Sequence, residues 1–344
     1  METFLSIDYP TLWYLVVGAV FSGYAILDGF DLGAGAWHLF FKRGDNRRIA
    51  LNAVGPVWDG NEVWLVIGGG ALFAGFPIFY ATLFSAMYIP FMLFLFCLIF
   101  RAISIEFRSK EKMAWWRQLW DVSYSVSSIL LSFFLGVVLG NVLQGAAIDS
   151  DYEFVGKTLD FFNPYAILVG LTTLALFMMH GAIFLLLKTE GWLYNKLLVL
   201  LKRGIIFFIL MFAITTVYTL IYIPHLSDAF KSYPSLFLAP LLAFLSIANI
   251  PRLASKKKFL WAFIFSCISI SMMLVIVAIE LYPVLWRSTL DLENSITIYN
   301  AAASMKSLEI CLIFAAVGIP LVLSYTFFVY KTFWGKVEMD ENSY

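Results

Sequence analysis

Apolar blocks of about 20 residues recur nine times along this chain, and no other feature of the sequence restricts the possible folds as strongly. A helix needs about 20 such residues to cross a hydrocarbon core roughly 30 Å thick. Lipid satisfies no backbone N–H or C=O, so a spanning chain must be helical or a closed barrel. The blocks are continuous and do not alternate apolar with polar, which excludes the barrel. The expected fold class is therefore all-α, a polytopic membrane protein whose residues 1–344 form a single transmembrane domain. The overall composition agrees: 61% of the residues are hydrophobic and only 13% are charged, too few charges for a water-facing surface.

Reading the blocks between charged or turn-rich punctuation places spans near 11–40, 57–75, 78–101, 119–145, 164–188, 203–225, 235–251, 259–285 and 305–333. The connections then alternate in charge. One side holds 19 of the 23 basic residues, Arg43, Arg47, Arg101 and Lys256 among them, and the other keeps only Lys157, Lys231, Arg287 and Lys306. That second side gathers the acids Asp149, Asp151, Glu153, Asp160, Asp291 and Glu293. By the positive-inside rule the basic side is cytoplasmic, which puts the N-terminus outside and the C-terminus in the cytoplasm. Residues 1–10 carry Glu2 and Asp8 and no basic residue, so the first span reads as retained and not as a cleaved signal. Trp115, Trp116, Trp120, Trp192, Trp286 and Trp334 fall near span boundaries, as interfacial aromatics do.

Net charge is zero, so no global field calls for nucleic acid. Cys97, Cys267 and Cys311 sit inside apolar runs and read as small hydrophobes. The connections are too short to hold a further domain, and they contain no nucleotide-binding loop and no Cys/His metal spacing. Any chemistry therefore has to lie within the membrane.

An ionisable residue inside a span costs roughly 2.5–3.5 kcal/mol on insertion scales, so each one needs a partner, a wet cavity or a role. The first two spans hold most of them. In Gly23-Tyr24-Ala25-Ile26-Leu27-Asp28-Gly29-Phe30-Asp31-Leu32-Gly33, the two aspartates are three apart and share a helix face. Asp28 lies roughly 25 Å into the span, past its midpoint towards the cytoplasm. Gly29 and Gly33, and Gly136 and Gly140 on the fourth span, have the four-residue spacing of close helix packing. The second span opens with Pro56-Val57-Trp58-Asp59-Gly60-Asn61-Glu62-Val63-Trp64, in which Asp59 and Glu62 stand at the positive end of a helix dipole. Two acids, an amide and two indoles in seven residues exceed what capping requires. A carboxyl group pulled one way by desolvation and the other by Arg101 is suited to passing protons.

Asp28-Gly-Phe-Asp-Leu-Gly33, Trp58-Asp-Gly-Asn-Glu-Val-Trp64, Phe100-Arg101, Arg108-Ser-Lys110, Trp120-Asp121 and Gly140-Asn-Val-Leu-Gln-Gly145 together resemble the second subunit of the cytochrome bd family of quinol oxidases. Length and hydropathy extend the resemblance to the whole chain, although the motifs thin out after residue 145. The resemblance implies a bacterial inner-membrane respiratory complex that oxidises quinol and reduces O2 to water. It implies hemes b and d in a heme-bearing subunit I, with quinol, O2, membrane lipids and a small accessory subunit as further partners and a bound quinone as a possibility. It assigns Asp28 and Asp59 to a proton route from the cytoplasm, with Arg101 and Glu62 tuning them, and Trp64 to an oxygen route. Glu62 departs from the glutamine of one branch of the family, which makes the local charge here different. Asp121 is open between a role in the route and that of a surface helix acid.

The histidines fit a division in which the hemes lie elsewhere. His38 is at the cytoplasmic end of span one, His180 about 12 Å inside span five, and His225 at the outer end of span six, three depths that do not make a bis-His heme site. Two other functional classes also bury acids among glycine-rich helices: a proton-coupled secondary transporter, and a non-catalytic assembly scaffold.

Overall fold

The computed structural model describes residues 3–4, 7–42 and 44–338. Arg43, counted above on the basic side, and Glu2 lie outside the described residues. Twelve α-helices are present among the described residues: α1 (Tyr9–Trp37), α2 (Asp45–Val54), α3 (Trp58–Gly75), α4 (Pro77–Ala86), α5 (Tyr88–Phe107), α6 (Ala114–Gln144), α7 (Pro164–Lys188), α8 (Gly191–Tyr222), α9 (Asp228–Ser232), α10 (Leu238–Ser255), α11 (Phe259–Leu281) and α12 (Met305–Thr332). Two small antiparallel pairs accompany them, β1 (Thr3–Phe4) with β2 (Ile7–Asp8), and β3 (Val284–Trp286) with β4 (Ile296–Thr297).

Helix starts follow local chemistry. Asp8 caps α1 by accepting from the Thr11 N–H at 3.0 Å, with Pro10 in the first turn where its missing N–H costs nothing. Asn163 caps α7 in the same way through Ala166 at 2.8 Å, followed by Pro164.

Among the described residues, eight helical segments are each long and apolar enough to cross a membrane, and α3 with α4 makes a ninth if that pair, bent by 119°, is taken as one span. The bend corrects the expected third span at 78–101. Phe76 precedes Pro77, which disfavours helical geometry at the residue before it, and Phe76 accordingly sits at φ −130°, ψ 63°. Residues 77–86 fold back as α4, and the crossing is made by α5, which begins only at Tyr88. Two further boundaries differ. The expected connection at 189–202 is helical because α8 starts at Gly191, and the span expected to end at 285 stops at Leu281. Lys202 and Arg203 are exposed, so they ride on a helix instead of a loop.

α7 lies at the centre of the bundle, and α1, α6 and α8 pack around it. An uninterrupted buried stretch from Ala175 to Leu186 explains why it is apolar all round. α12 is the opposite case: none of its most apolar 18-residue window is buried within this chain, and it touches only α1 and α3 appreciably.

The loops at the acidic end form a lid. Trp286 is fully buried there and donates through Nε1 to Asn141 O at 3.1 Å, so it is a core residue and not an interfacial aromatic. Asn141 also donates to Phe161 O at 2.8 Å and accepts from Asn163 Nδ2 at 2.9 Å. At the end of α6, Gly145 has φ +92°, and an added Cβ would come within 2.7 Å of Arg287 O.

Candidate functional site

At the opposite end from this lid, α1, α3 and α5 bring their ionisable side chains together. Asp28 and Arg101 are both fully buried and face each other in a two-pronged pair: Arg101 Nη1 donates to Asp28 Oδ2 at 2.9 Å, and Nη2 donates to Oδ1. A guanidinium fork matches a carboxylate in this way and offsets the cost of taking both charges out of water. Glu62 approaches the same guanidinium, its Oε2 3.9 Å from the Nη1 that also donates to Asp28. Two carboxylates thus share one cation, and only Asp28 hydrogen-bonds to it.

Asp31, one helical turn along α1, is also fully buried. It accepts from Asn61 Nδ2 at 2.7 Å, and the same Nδ2 lies 3.1 Å from Leu27 O. Asn61 in turn accepts from the Tyr330 hydroxyl at 2.9 Å, so α12, otherwise peripheral, reaches the cluster through one side chain. Asp59 is exposed at the start of α3 and makes no direct contact with Asp28 or Arg101. Trp64 is buried against Val20 and Tyr24, and its ring fills the space in which a Cβ on Gly23 would fall, 2.6 Å away. Five buried polar atoms here lie within hydrogen-bonding distance and angle of no protein partner: Tyr24 OH, Asp31 Oδ1, Glu62 Oε2, Trp64 Nε1 and Arg101 Nε. Free hydrogen-bonding capacity concentrated in this way is unusual, because buried polar groups are nearly always paired with protein or ordered water.

A second ionic cluster lies nearby and was hidden in the sequence. Asp121 is 3% exposed, which rules out a surface helix acid. Its Oδ1 lies 2.6 Å from His38 Nε2 and 2.5 Å from Arg108 Nε, and its Oδ2 accepts from Arg47 Nη1 at 2.9 Å. This knot ties the end of α1 to α2, α5 and α6. No single stretch of sequence announces it, since the four residues come from four separate segments.

The histidines remain apart. His180 has both ring nitrogens engaged, Nδ1 at 2.8 Å from Ser266 Oγ and Nε2 at 3.0 Å from Ile26 O, with its ring stacked on Phe263. His225 bonds Leu143 O at 3.1 Å. No group of three or more His, Cys, Asp or Glu among the described residues is placed to hold a metal ion. His180, with both ring nitrogens committed, is not free to ligate iron as it stands.

The small-residue pairs meet one common helix. A Cβ at Gly33 would collide with Phe177 O, and one at Gly29 would come within 2.8 Å of the Phe177 ring. A Cβ at Gly136 would come within 2.7 Å of Gly170 Cα, and one at Gly140 within 2.7 Å of Ala166 Cα. α1 and α6 therefore approach α7 at backbone distance, and this fixes the depth of Asp28 and Asp31.

The family model for cytochrome bd terminal oxidase subunit II matches residues 9–333. The chain belongs to that family. It is accordingly a multi-pass subunit of an inner-membrane terminal oxidase, of a family that uses heme in its complex. Among curated bd subunits, it is 33% identical over 338 residues to cytochrome bd ubiquinol oxidase subunit 2 of Bacillus subtilis, covering 96% of this chain and 97% of that one. It is 29% identical over 369 residues to cytochrome bd-I ubiquinol oxidase subunit 2 of Escherichia coli, covering 97% of both. Its fold resembles a chain in the bd oxidase structure from Geobacillus thermodenitrificans, with a TM-score of 0.79 at 19% identity over 94% of this chain and 98% of that one. For a bd subunit II, the sequence motifs at residues 28–33, 58–64, 101, 108 and 121 converge on the two ionic clusters at one end of the bundle.

Proposed function

We propose that this chain serves quinol oxidation and O2 reduction in a heme-bearing subunit I, holding hemes b and d, by giving protons a path inward from the cytoplasm. The observation that carries this reading is that Asp28 and Glu62 share the one buried Arg101 guanidinium, both of them near its Nη1, with exposed Asp59 on the same helix as Glu62. Exposed Asp59 collects protons, Glu62 takes them at the edge of the buried cluster, and Asp28, with Asp31 behind it, hands them onward while Arg101 keeps negative charge tolerable in the interior. The unpaired polar atoms on Tyr24, Asp31, Glu62 and Arg101 supply sites at which water can bridge these steps. Trp64 lines an oxygen route along the α1–α3 seam. The charge distribution supports an N-terminus outside and a C-terminus in the cytoplasm, which puts the cluster at the side from which protons come. Quinol is the electron donor, and a bound quinone or a small accessory subunit is compatible with the exposed apolar faces.

The scaffold reading has one observation in its favour, because a two-pronged buried Asp28–Arg101 pair also serves simply to lock α1 to α5. The transporter reading has less: the one sharply bent helix pair among the described residues, broken at Phe76–Pro77, breaks after α3 has run about 27 Å and not at a midplane site. The deciding experiment is oxygen consumption by the purified complex carrying Asp28→Asn or Asp59→Asn, with the heme absorption spectrum recorded on the same samples. Slower turnover with an unchanged spectrum supports the proton path, and unchanged turnover in both variants leaves only the scaffold.

A further inference from the structure

Asp28 meets the Arg101 fork only while α1 is held at one rotation about its own axis. At about 3.6 residues per turn, Ile26, Gly29, Phe30 and Gly33 share one face of α1, and Asp28 and Asp31 fall on roughly the opposite face. The first face packs on α7, where Gly29 and Gly33 lie against Phe177. Glycines let the two backbones approach, but they offer no side chain to oppose a turn of the helix. A carboxylate about 5–6 Å from the axis moves by about 2 Å when the helix turns by about 20°, which is enough to lose both bonds to Arg101.

Two side-chain hydrogen bonds between α1 and α7 do have direction. Trp37 Nε1 donates to Met178 O at 2.7 Å near the end of α1, and His180 Nε2 reaches Ile26 O at 3.0 Å, two residues before Asp28. A carbonyl only accepts, so Nε2 carries the proton. In a neutral imidazole Nδ1 is then an acceptor, and Ser266 Oγ on α11 donates to it at 2.8 Å. Phe263, also on α11, stacks on the ring at 4.7 Å and 7°. The ring is thus fixed in tautomer and in plane from α11, and it delivers its N–H to α1. His180 is the one polar side chain in the buried stretch of α7 from Ala175 to Leu186. Ile26 O lies inside α1, where the Phe30 N–H is its helical donor, so the bond does not rescue an orphaned carbonyl. An apolar side chain would fill the same space without burying polar atoms. What the imidazole adds is direction.

We propose that His180, oriented by Ser266, is a positioning residue that sets the rotation of α1 so that Asp28 meets Arg101 in the geometry that passes protons. It acts through α1 and does not itself take a proton. The inference rests on the proton-path reading of Asp28.

The test is oxygen consumption per heme by the purified complex, in H2O and in D2O, for His180→Leu, His180→Gln and Ser266→Ala, with Asp28→Asn alongside. His180→Leu should lower kcat about tenfold at unchanged KM for O2, as small misplacements do. It should also enlarge the solvent isotope effect, because proton delivery becomes the slow step. His180→Gln supplies an amide N–H for Ile26 O and an oxygen for Ser266, and should stay within about twofold of the wild type. Ser266→Ala removes the group that orients the ring and should fall between the two, and it decides the matter if His180→Leu does not assemble. A wild-type kcat per heme in both His180→Leu and Ser266→Ala would overturn the inference. So would a lowered kcat with an unchanged isotope effect, or a glutamine variant as slow as the leucine one. If Asp28→Asn is slow while the His180 and Ser266 variants run at the wild-type rate, this inference alone fails. If Asp28→Asn itself runs at the wild-type rate, the proton path fails and the inference falls with it.

Discussion

Arg101 on α5 closes both terminal nitrogens of its guanidinium on the carboxylate of Asp28 on α1, and neither side chain is reached by solvent. Such a pair is worth far more intact than halved. Arg101→Met alone should destabilise the complex by about 3–5 kcal/mol, because it leaves an uncompensated buried carboxylate. The double variant Asp28→Leu with Arg101→Met should recover much of that loss while turnover stays low. Thermal unfolding of the purified complex, alongside oxygen consumption, separates the two effects. Recovery of turnover in the double variant would mean that the pair is only a tie.

Asp59 is exposed and Asp28 is buried, so their neutral replacements should behave differently with pH. Asp59→Asn removes a collector at the mouth. Its slow turnover should improve as the pH on the cytoplasmic side is lowered, since a higher proton concentration substitutes for a collecting group. Asp28→Asn breaks the path itself and should gain nothing from acid. Turnover measured from pH 5.5 to 8.5 in inverted vesicles distinguishes them.

Gly33 allows α1 to reach the α7 backbone at Phe177, whereas Gly18 on the same helix faces open space. Gly33→Ala should separate the helices and cost at least the ~1–3 kcal/mol typical of overpacking, which would appear as a lower yield of assembled, heme-loaded complex. Gly18→Ala should match the wild type. Equal yields would show that the close approach of α1 to α7 tolerates a methyl group.

Tyr330→Phe removes the single hydrogen bond that α12 makes to Asn61. Asn61 Oδ1 then loses its donor inside the membrane, at a cost of about 1–3 kcal/mol. The expected signature is a lower unfolding temperature together with faster hydrogen exchange in α12. Faster exchange spread evenly over the bundle would point to a different role for Tyr330.

His225 lies in the turn after α8, outside the spans, and burial pushes its imidazole below the ordinary histidine range despite its bond to Leu143 O. A group whose folded-state value is depressed stabilises the fold above its unfolded value, near pH 6.5, and that contribution disappears as pH falls through the folded value. The junction between α8 and the end of α6 should therefore loosen below about pH 6.5. His225→Gln keeps a donor for Leu143 O and should flatten this dependence in unfolding temperature against pH.

Span number, all-helical class and the acid-rich face of α1 were legible because each depends on a long local run of residue types. The third crossing was misplaced because hydropathy cannot see a reversal when both arms are apolar; the information lay in a single dipeptide, Phe76-Pro77. Asp121 was ambiguous because its partners Arg47, Arg108 and His38 come from other segments, and an isolated acid near a helix start looks the same whether it is solvated or paired. Tyr330 left no trace, being one aromatic in an apolar helix.

The Asp28–Arg101 pair also sets an order of events. Its members are 73 residues apart in the chain, so a carboxylate made early waits for a guanidinium made several helices later. Until α5 emerges, α1 carries two acids that the lipid rejects, and Asn61 on α3 relieves only one of them. α1 therefore sits in the bilayer at a cost of roughly 2.5–3.5 kcal/mol for each unpaired acid until those partners arrive. Stalling synthesis between α3 and α5 should therefore leave a nascent chain that is extracted from the membrane more readily than one stalled after α5.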